Sequence, residues 1–295
     1  MVLLTMVLTK YALISNLAFQ TKLSNFDFII FSISVLFITA GGYIINDIYD
    51  VGVDKINKPK KVWISTSFTY KRAWSLYAFL TVTGVAIGCY LSYDQSSKYY
   101  SFYFIGVSLS LFIYSRFLKK VALIGNILIA ILCSLVVYLV YLFDFQIDPY
   151  FKYKSTLYFD DFKYIFTDIG INFYIALCFL TTLIRELLKD IEDIKGDYNL
   201  GYKTLPIIFG VKRTRRLLIF MSILLFLYIS MFVRELSVFY FYVISFFIVL
   251  ILIVLLYFIY KLWNTETKRQ YHFLSNLMKV IMILGIVSMG LFNLI

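Results

Sequence analysis

The sequence predicts an all-α, polytopic membrane protein with about nine transmembrane helices in one bundle, and three observations predict it. Of its 295 residues, 61% are hydrophobic and only 15% are charged, where a soluble domain carries about 25% charge. Apolar runs of about twenty residues recur along the whole chain, and in lipid only helices and closed barrels satisfy their own backbone. The polar–apolar alternation of barrel strands is absent.

The hydropathy pattern places spans at about residues 2–18, 27–46, 72–92, 99–117, 121–143, 166–187, 215–233, 237–261 and 277–294. The first run lacks a basic leader and a small-residue cleavage site, so it is expected to be a retained helix. No linker or composition shift divides the chain, which predicts a single domain over residues 1–295. The connections alternate between two sides. One set, residues 47–71, 116–120, 185–216 and 261–279 with Arg72, holds 21 of the 28 basic residues; the other holds six, Lys22, Lys98, Lys152, Lys154, Lys163 and Arg234. By the positive-inside rule the first set is cytoplasmic, which puts the N-terminus inside and makes the protein integral to the plasma or cell inner membrane.

Span two, residues 28–45, ends abruptly in acid. The stretch Asn46 to Pro59 reads N-D-I-Y-D-V-G-V-D-K-I-N-K-P. On a helix Asp47, Asp50 and Asp54 lie within roughly 60° of one another, and Asn46 opens an overlapping row with Asp50 and Asp54. Like charges one turn apart repel, so such a ladder calls for a cation among its oxygens, and a hard divalent ion such as Mg²⁺ suits an all-oxygen set. Gly41 and Gly42, just before it, permit close helix packing. Gly52 and Asn57-Lys58-Pro59 are expected to end the helix, and Lys58, Lys60 and Lys61 place cations where an anionic ligand would be held.

Span six ends the same way. Arg185 to Asp197 reads R-E-L-L-K-D-I-E-D-I-K-G-D, and Glu186, Asp190, Asp193 and Asp197 again share one face within about 60°. Each stretch alone reads equally well as a solvated helix end or as a site; the matched pair, opening on the same predicted side, reads as one site facing the cytoplasm. Behind the second stretch, Gly201 permits a tight turn, and Lys203 and Thr204 supply donors. Spans seven to nine carry few polar groups and read as scaffold and an apolar wall.

Other classes fit less well. Cys89, Cys133 and Cys178 fall inside spans and His272 is the only histidine, so neither a disulfide framework nor a His-rich zinc site is present. The net charge of +11 belongs to short loops facing membrane lipids, not to nucleic-acid binding. An ion-coupled transporter would place its carboxylates near the bilayer midplane, in broken helices. A CDP-alcohol phosphotransferase would gather its aspartates in one stretch.

Two acidic faces with lysines nearby, opening into a hydrophobic bundle, suit a ligand with an anionic head and a long apolar tail, such as an isoprenyl diphosphate. Metal-held diphosphate can leave from an allylic carbon, and aromatic walls can shelter the resulting cation.

Those residues resemble the UbiA superfamily of intramembrane prenyltransferases over essentially the whole chain. N-D-I-Y-D-V-G-V-D, Asn46 to Asp54, is similar to the first family motif, N-D-x-x-D-x-x-x-D; D-I-E-D-I-K-G-D, Asp190 to Asp197, is similar to the second. The resemblance implies that Asn46, Asp50 and Asp54 with Asp190, Asp193 and Asp197 bind Mg²⁺ and diphosphate, with Asp50, Asp54, Asp193 and Asp197 central to catalysis and Asp47 more variable in role. It implies that Tyr114 and Lys119 lie near the diphosphate with Asn126 beside them, and that Lys203-Thr-Leu-Pro206 forms a further family loop. One departure is Lys58-Pro59-Lys60-Lys61-Val62, which replaces an R-P-x-R-P segment and exchanges bidentate arginines for lysines. The second stretch most resembles the geranylgeranylglycerol-phosphate geranylgeranyltransferases, whose acceptor is a lipid hydroxyl. Related 4-hydroxybenzoate polyprenyltransferases attack through an aromatic ring carbon instead. Either way, the expected partners are an isoprenyl diphosphate donor and a lipophilic acceptor.

Overall fold

The computed structural model describes residues 1–14, 21–95, 98–144, 158–238 and 242–294. Its elements are helical throughout. We number them α1 (Val2–Leu8), which continues as a π-helical turn over Thr9–Ile14, α2 (Asn25–Asn57), α3 (Tyr70–Gln95), α4 (Ser101–Arg116), α5 (Ile124–Asp144), α6 (Tyr158–Asn199), the short α7 (Leu205–Phe209), α8 (Val211–Val238), α9 (Tyr242–Trp263) and α10 (Lys268–Met289). Seven of these are long and apolar enough to cross a membrane. Two of the expected spans are shorter: α4 has 16 residues, and the N-terminal helix covers Val2–Ile14. Residues 145–157, which include Lys152 and Lys154, lie outside the described residues. The three cysteines are half-buried and free, and His272 is exposed.

The chain forms two compact units. The first contains Met1–Lys22, Ala130–Lys189 and Lys212–Ile295. Its core is aromatic and aliphatic, with Phe173 stacked on Phe232 at 3.6 Å between ring centroids. Two buried polar contacts tie it together: the Tyr174 hydroxyl lies 2.9 Å from Ser288 Oγ, and Lys10 Nζ donates to Asp144 Oδ1 at 2.8 Å with both side chains buried. A buried charge is tolerable only when paired in this way. Thr267 and Gln270 form a reciprocal capping box that starts α10.

The second unit contains Leu23–Ile129 and Asp190–Val211, and it carries the first acidic stretch and Asp190–Asp197 of the second. Ser24 caps α2, its hydroxyl accepting from the Asp27 amide at 3.1 Å. At 33 residues and about 1.5 Å per residue, α2 is about 50 Å long, well beyond the ~30 Å hydrocarbon core. Its apolar stretch fills that thickness, so the acidic turns fall at the edge. The helix runs through Gly52 without a break and stops at Asn57, where Pro59 opens a 3₁₀ turn.

Packing in this unit depends on bare helix surfaces. A Cβ at Gly41 would lie 2.5 Å from Thr81 Oγ1, and one at Gly42 would lie 2.9 Å from Leu111 Cδ1. α2 therefore approaches α3 and α4 closely, as the sequence led one to expect of that glycine pair. Ser34 Oγ adds an interhelical bond to the Gly84 carbonyl at 2.7 Å.

Candidate functional site

The direction of the first acidic ladder is set by what α2 buries. Ile45, Ile48 and Val51 pack with Ile64 and Ala73 in one apolar cluster. Burying that stripe turns Asn46, Asp50 and Asp54 to another face of the helix. Behind the ladder stands an aromatic group: Tyr49 meets Trp74 and Phe112 edge-on, with centroids at 6.2 and 6.4 Å, and Trp74 meets Tyr77 at 5.7 Å.

Five carboxylates of the two stretches are held by side-chain donors. Asp50 is held on both oxygens: Asn46 Nδ2 donates to Oδ2 at 2.6 Å, and the Lys119 ammonium donates to Oδ1. Lys119 also lies 5.9 Å from the Tyr49 ring centroid, within cation–π range. Asp193 receives Lys58 Nζ on Oδ2 at 2.7 Å, and Asp190 receives Asn126 Nδ2 at 2.9 Å. Asp47 stands apart, its Oδ2 accepting from the Trp63 indole at 2.7 Å. Glu186 belongs to the other unit, where Arg185 and Lys189 donate to it at 3.0 and 2.6 Å.

The two ladders, far apart in sequence, therefore meet within the second unit. Asn57 Nδ2 donates to the Asp193 carbonyl at 2.9 Å, and its Oδ1 accepts from the Gly196 amide at 3.1 Å. The loops beyond also join. Lys203 N donates to the Lys120 carbonyl at 2.9 Å, pairing Val121 with Lys203 in a parallel bridge. Gly201 adopts φ +70°, the left-handed turn that the sequence indicated for it. Gly125 lets the 117–125 loop fold tightly: a Cβ there would lie 2.8 Å from the Leu118 carbonyl oxygen and 3.1 Å from Lys119 Cα. That close approach fixes the root of Lys119.

Among the other expected ligands, Tyr114 is half-buried on α4, and the Lys203 side chain is exposed. The side chain of Lys61 lies outside the described residues. Three contributors escaped sequence reasoning. Trp63 sits in a turn with no motif around it. Asn57 follows Asp54 by three residues and so continues its helical face, a signal that was available but was read only as a helix stop. Tyr202 lies under Lys120, 5.4 Å from ammonium to ring centroid.

The loop groups show how charge is balanced. Burial pushes the Lys119 pKa down, and the opposing pull of Asp50 does not fully restore it. Burial also works against Lys58, but the hydrogen bond and charge of Asp193 outweigh it and hold the Lys58 pKa above its ordinary value. The Tyr202 phenol is pushed up to about 12 by burial and by the negative charge of Asp50 and Asp197, so it stays neutral.

Among the described residues, no three acidic, histidine or cysteine side chains form a ready metal cluster; Asp47, Asp50, Asp190 and Asp193 are instead held by amide, indole and ammonium donors. The donor chemistry nevertheless suits a hard cation. Every candidate ligand is an oxygen, and two buried side-chain oxygens, Asn46 Oδ1 and Asp193 Oδ1, have no hydrogen-bond partner, an arrangement that is costly unless a ligand completes it.

The fold and site define a class: a polytopic helical membrane protein whose two acidic helix ends converge among lysines. The model of the UbiA prenyltransferase family matches residues 3–277, and the chain belongs to that family. It is 34% identical over 198 residues to digeranylgeranylglyceryl phosphate synthase of Sulfurisphaera tokodaii, covering 67% of this chain and 63% of that protein. With the enzyme of the same name from Methanosphaera stadtmanae it shares 28% identity over 274 residues, 90% of this chain and 88% of the other. Among solved structures, one from a study of digeranylgeranylglyceryl phosphate synthase in membranes superposes with a TM-score of 0.66 at 20% identity, over 99% of this chain and 92% of that one. A UbiA homologue from Archaeoglobus fulgidus bound to GPP and Mg²⁺ superposes with a TM-score of 0.60 at 17% identity, over 98% and 96%. Both structures share the fold.

Proposed function

We propose that the protein transfers an isoprenyl group from an isoprenyl diphosphate to a lipophilic acceptor in the membrane, with geranylgeranylglycerol phosphate as the acceptor and an ether lipid as the product. The observation that carries this reading is the convergence of the two acidic ladders, tied by Lys58 to Asp193 at 2.7 Å. The name shared by the Sulfurisphaera and Methanosphaera relatives supports the choice of acceptor. The whole chain acts as a single catalytic domain, with nine spans and its site on the cytoplasmic face of the cell membrane.

Asn46, Asp50, Asp54, Asp190, Asp193 and Asp197 would hold Mg²⁺, with Asp47 at the margin. Bound there, the ion supplies neutralising charge for a departing diphosphate. Lys58, Lys61, Lys119 and Lys203, with Tyr114 and Asn126, bind the phosphate oxygens. Tyr49, whose ring lies 5.9 Å from the Lys119 ammonium, would shelter the allylic carbon as its positive charge develops, with Trp74, Tyr77 and Phe112 backing it. The acceptor hydroxyl attacks that carbon, the carbon–oxygen bond to diphosphate breaks, and the hydroxyl proton leaves with the diphosphate or with water.

The test uses purified protein in lipid with Mg²⁺, geranylgeranyl diphosphate and a mixture of geranylgeranylglycerol phosphate and 4-hydroxybenzoate, with products read by mass spectrometry. An EDTA-sensitive ether lipid is the expected product. A prenylated ring would move the protein to the aromatic branch of the family, and intact diphosphate with either acceptor would overturn the reading. Orientation has its own test. With Cys89, Cys133 and Cys178 replaced by alanine, a Lys60→Cys variant is expected to react with a membrane-impermeant thiol reagent only from the cytoplasmic side; labelling from outside would invert the topology.

A further inference from the structure

Asn57 is the last residue of α2, three residues after Asp54 and seven after Asp50, so it shares their face. Its side-chain amide offers one donor and one acceptor in a single plane. The donor meets the Asp193 carbonyl at 2.9 Å, and the acceptor meets the Gly196 amide at 3.1 Å. These two backbone groups sit within the turn that carries Asp193 and Asp197. Neighbouring Lys58 grips the Asp193 side chain on its outer oxygen, but its four-carbon stem is flexible and cannot fix the position of a backbone.

The clamp requires glycine opposite. A Cβ at Gly196 would lie 2.3 Å from Asn57 Nδ2, 2.8 Å from Cγ and 3.0 Å from Oδ1, so any side chain there expels the amide. Gly196 is buried in the middle of a helical turn, where glycine is otherwise unfavourable relative to alanine. The close seat of the amide accounts for its presence.

We infer that Asn57 is a positioning residue: seated on Gly196, its amide sets the spacing between the Asp50–Asp54 ladder and the Asp193–Asp197 ladder, which one metal–diphosphate must bridge. The inference rests on the proposed function, and it adds residues that touch neither metal nor substrate. Only an amide fits. Aspartate is the same size but presents two acceptors, one of them against the Asp193 carbonyl; alanine leaves the spacing unset.

The test reads metal binding directly, by Mn²⁺ titration of the purified protein followed by electron paramagnetic resonance, alongside thermal unfolding. Asn57→Ala, Asn57→Asp and Gly196→Ala are each expected to raise the half-saturating Mn²⁺ concentration by about tenfold, the scale of outer-shell changes at metal sites, with little change in unfolding temperature. High Mg²⁺ is expected to recover turnover in Asn57→Ala. The double variant Asn57→Ala/Gly196→Ala is expected to match either single variant, since the new methyl group has no amide left to displace. Additive losses in the double variant, or unchanged Mn²⁺ binding in the Asn57 variants, would overturn the clamp. Asp193→Asn separates this from the underlying site: if it binds Mn²⁺ as the unaltered protein does, the site assignment itself is wrong, whereas loss there with normal binding in Asn57→Ala removes only the clamp.

Discussion

Asp50→Asn and Asp193→Asn are each expected to lower the rate of prenyl transfer by about 10²–10³-fold, the scale seen when one preorganised charge-stabilising group is removed from an active site. Asp50 sits at the centre of the first ladder, one oxygen under Asn46 and the other under Lys119. Asp193 holds the matching place in the second, with one oxygen under Lys58 and the other without a hydrogen-bond partner. Asparagine keeps shape and polarity, so the helices should stay in place, but it removes the charge that a cation needs. The ion pairs are half-buried, with 20% exposure at each aspartate side chain, so the substitutions should shift the unfolding temperature far less than they shift turnover. Initial rates at saturating donor, with thermal unfolding in the same detergent, make the check. A variant turning over at the unaltered rate would sink the assignment of that carboxylate to the metal site.

The two aspartates were legible because a helix imposes a period. Spacings of three, four and seven residues fix a shared face before any tertiary contact is known, and the structure places both faces in the same unit. Gly41 and Gly42 were legible for a similar reason, since small residues on an apolar helix mark close approach. Asn57 was not. Its spacing from Asp54 gives its face, but its partners stand 136 and 139 residues away, and that face alone does not say which backbone it meets. Trp63 on Asp47 was hidden likewise, in a turn between Ser67 and the Trp63 carbonyl that depends on Ser65 at φ 72°. The buried pair Lys10 and Asp144 lies 134 residues apart, and no local pattern links the two. Local periodicity carries a face; it does not carry the identity of what that face meets.

Lys119 brings the second large effect. It sits in a single 3₁₀ turn, Leu118–Lys120, and its position comes from the tight 117–125 connection that Gly125 permits. Its ammonium pairs with Asp50 and lies over Tyr49, so it joins the acidic ladder to the aromatic wall at the point where a diphosphate head would meet its hydrocarbon tail. Two roles are open to such a cation: neutralising Asp50, or binding a phosphate oxygen of the donor. They predict different kinetics. Lys119→Met keeps the length of the side chain and removes the charge; in the phosphate-binding role it lowers kcat/KM for the donor by about a hundredfold. Combined with Asp50→Asn, it then deepens the loss further. If its task were only to neutralise Asp50, the double variant would be no slower than Asp50→Asn alone, because the charge it answered would already be gone. Since burial lowers the Lys119 pKa despite Asp50, the site holds this ammonium at some cost, and the additional anion of a bound diphosphate would relieve it. The expected result is therefore the deeper loss in the double variant, with Lys119→Arg retaining part of the rate through its charge but not its point-like geometry.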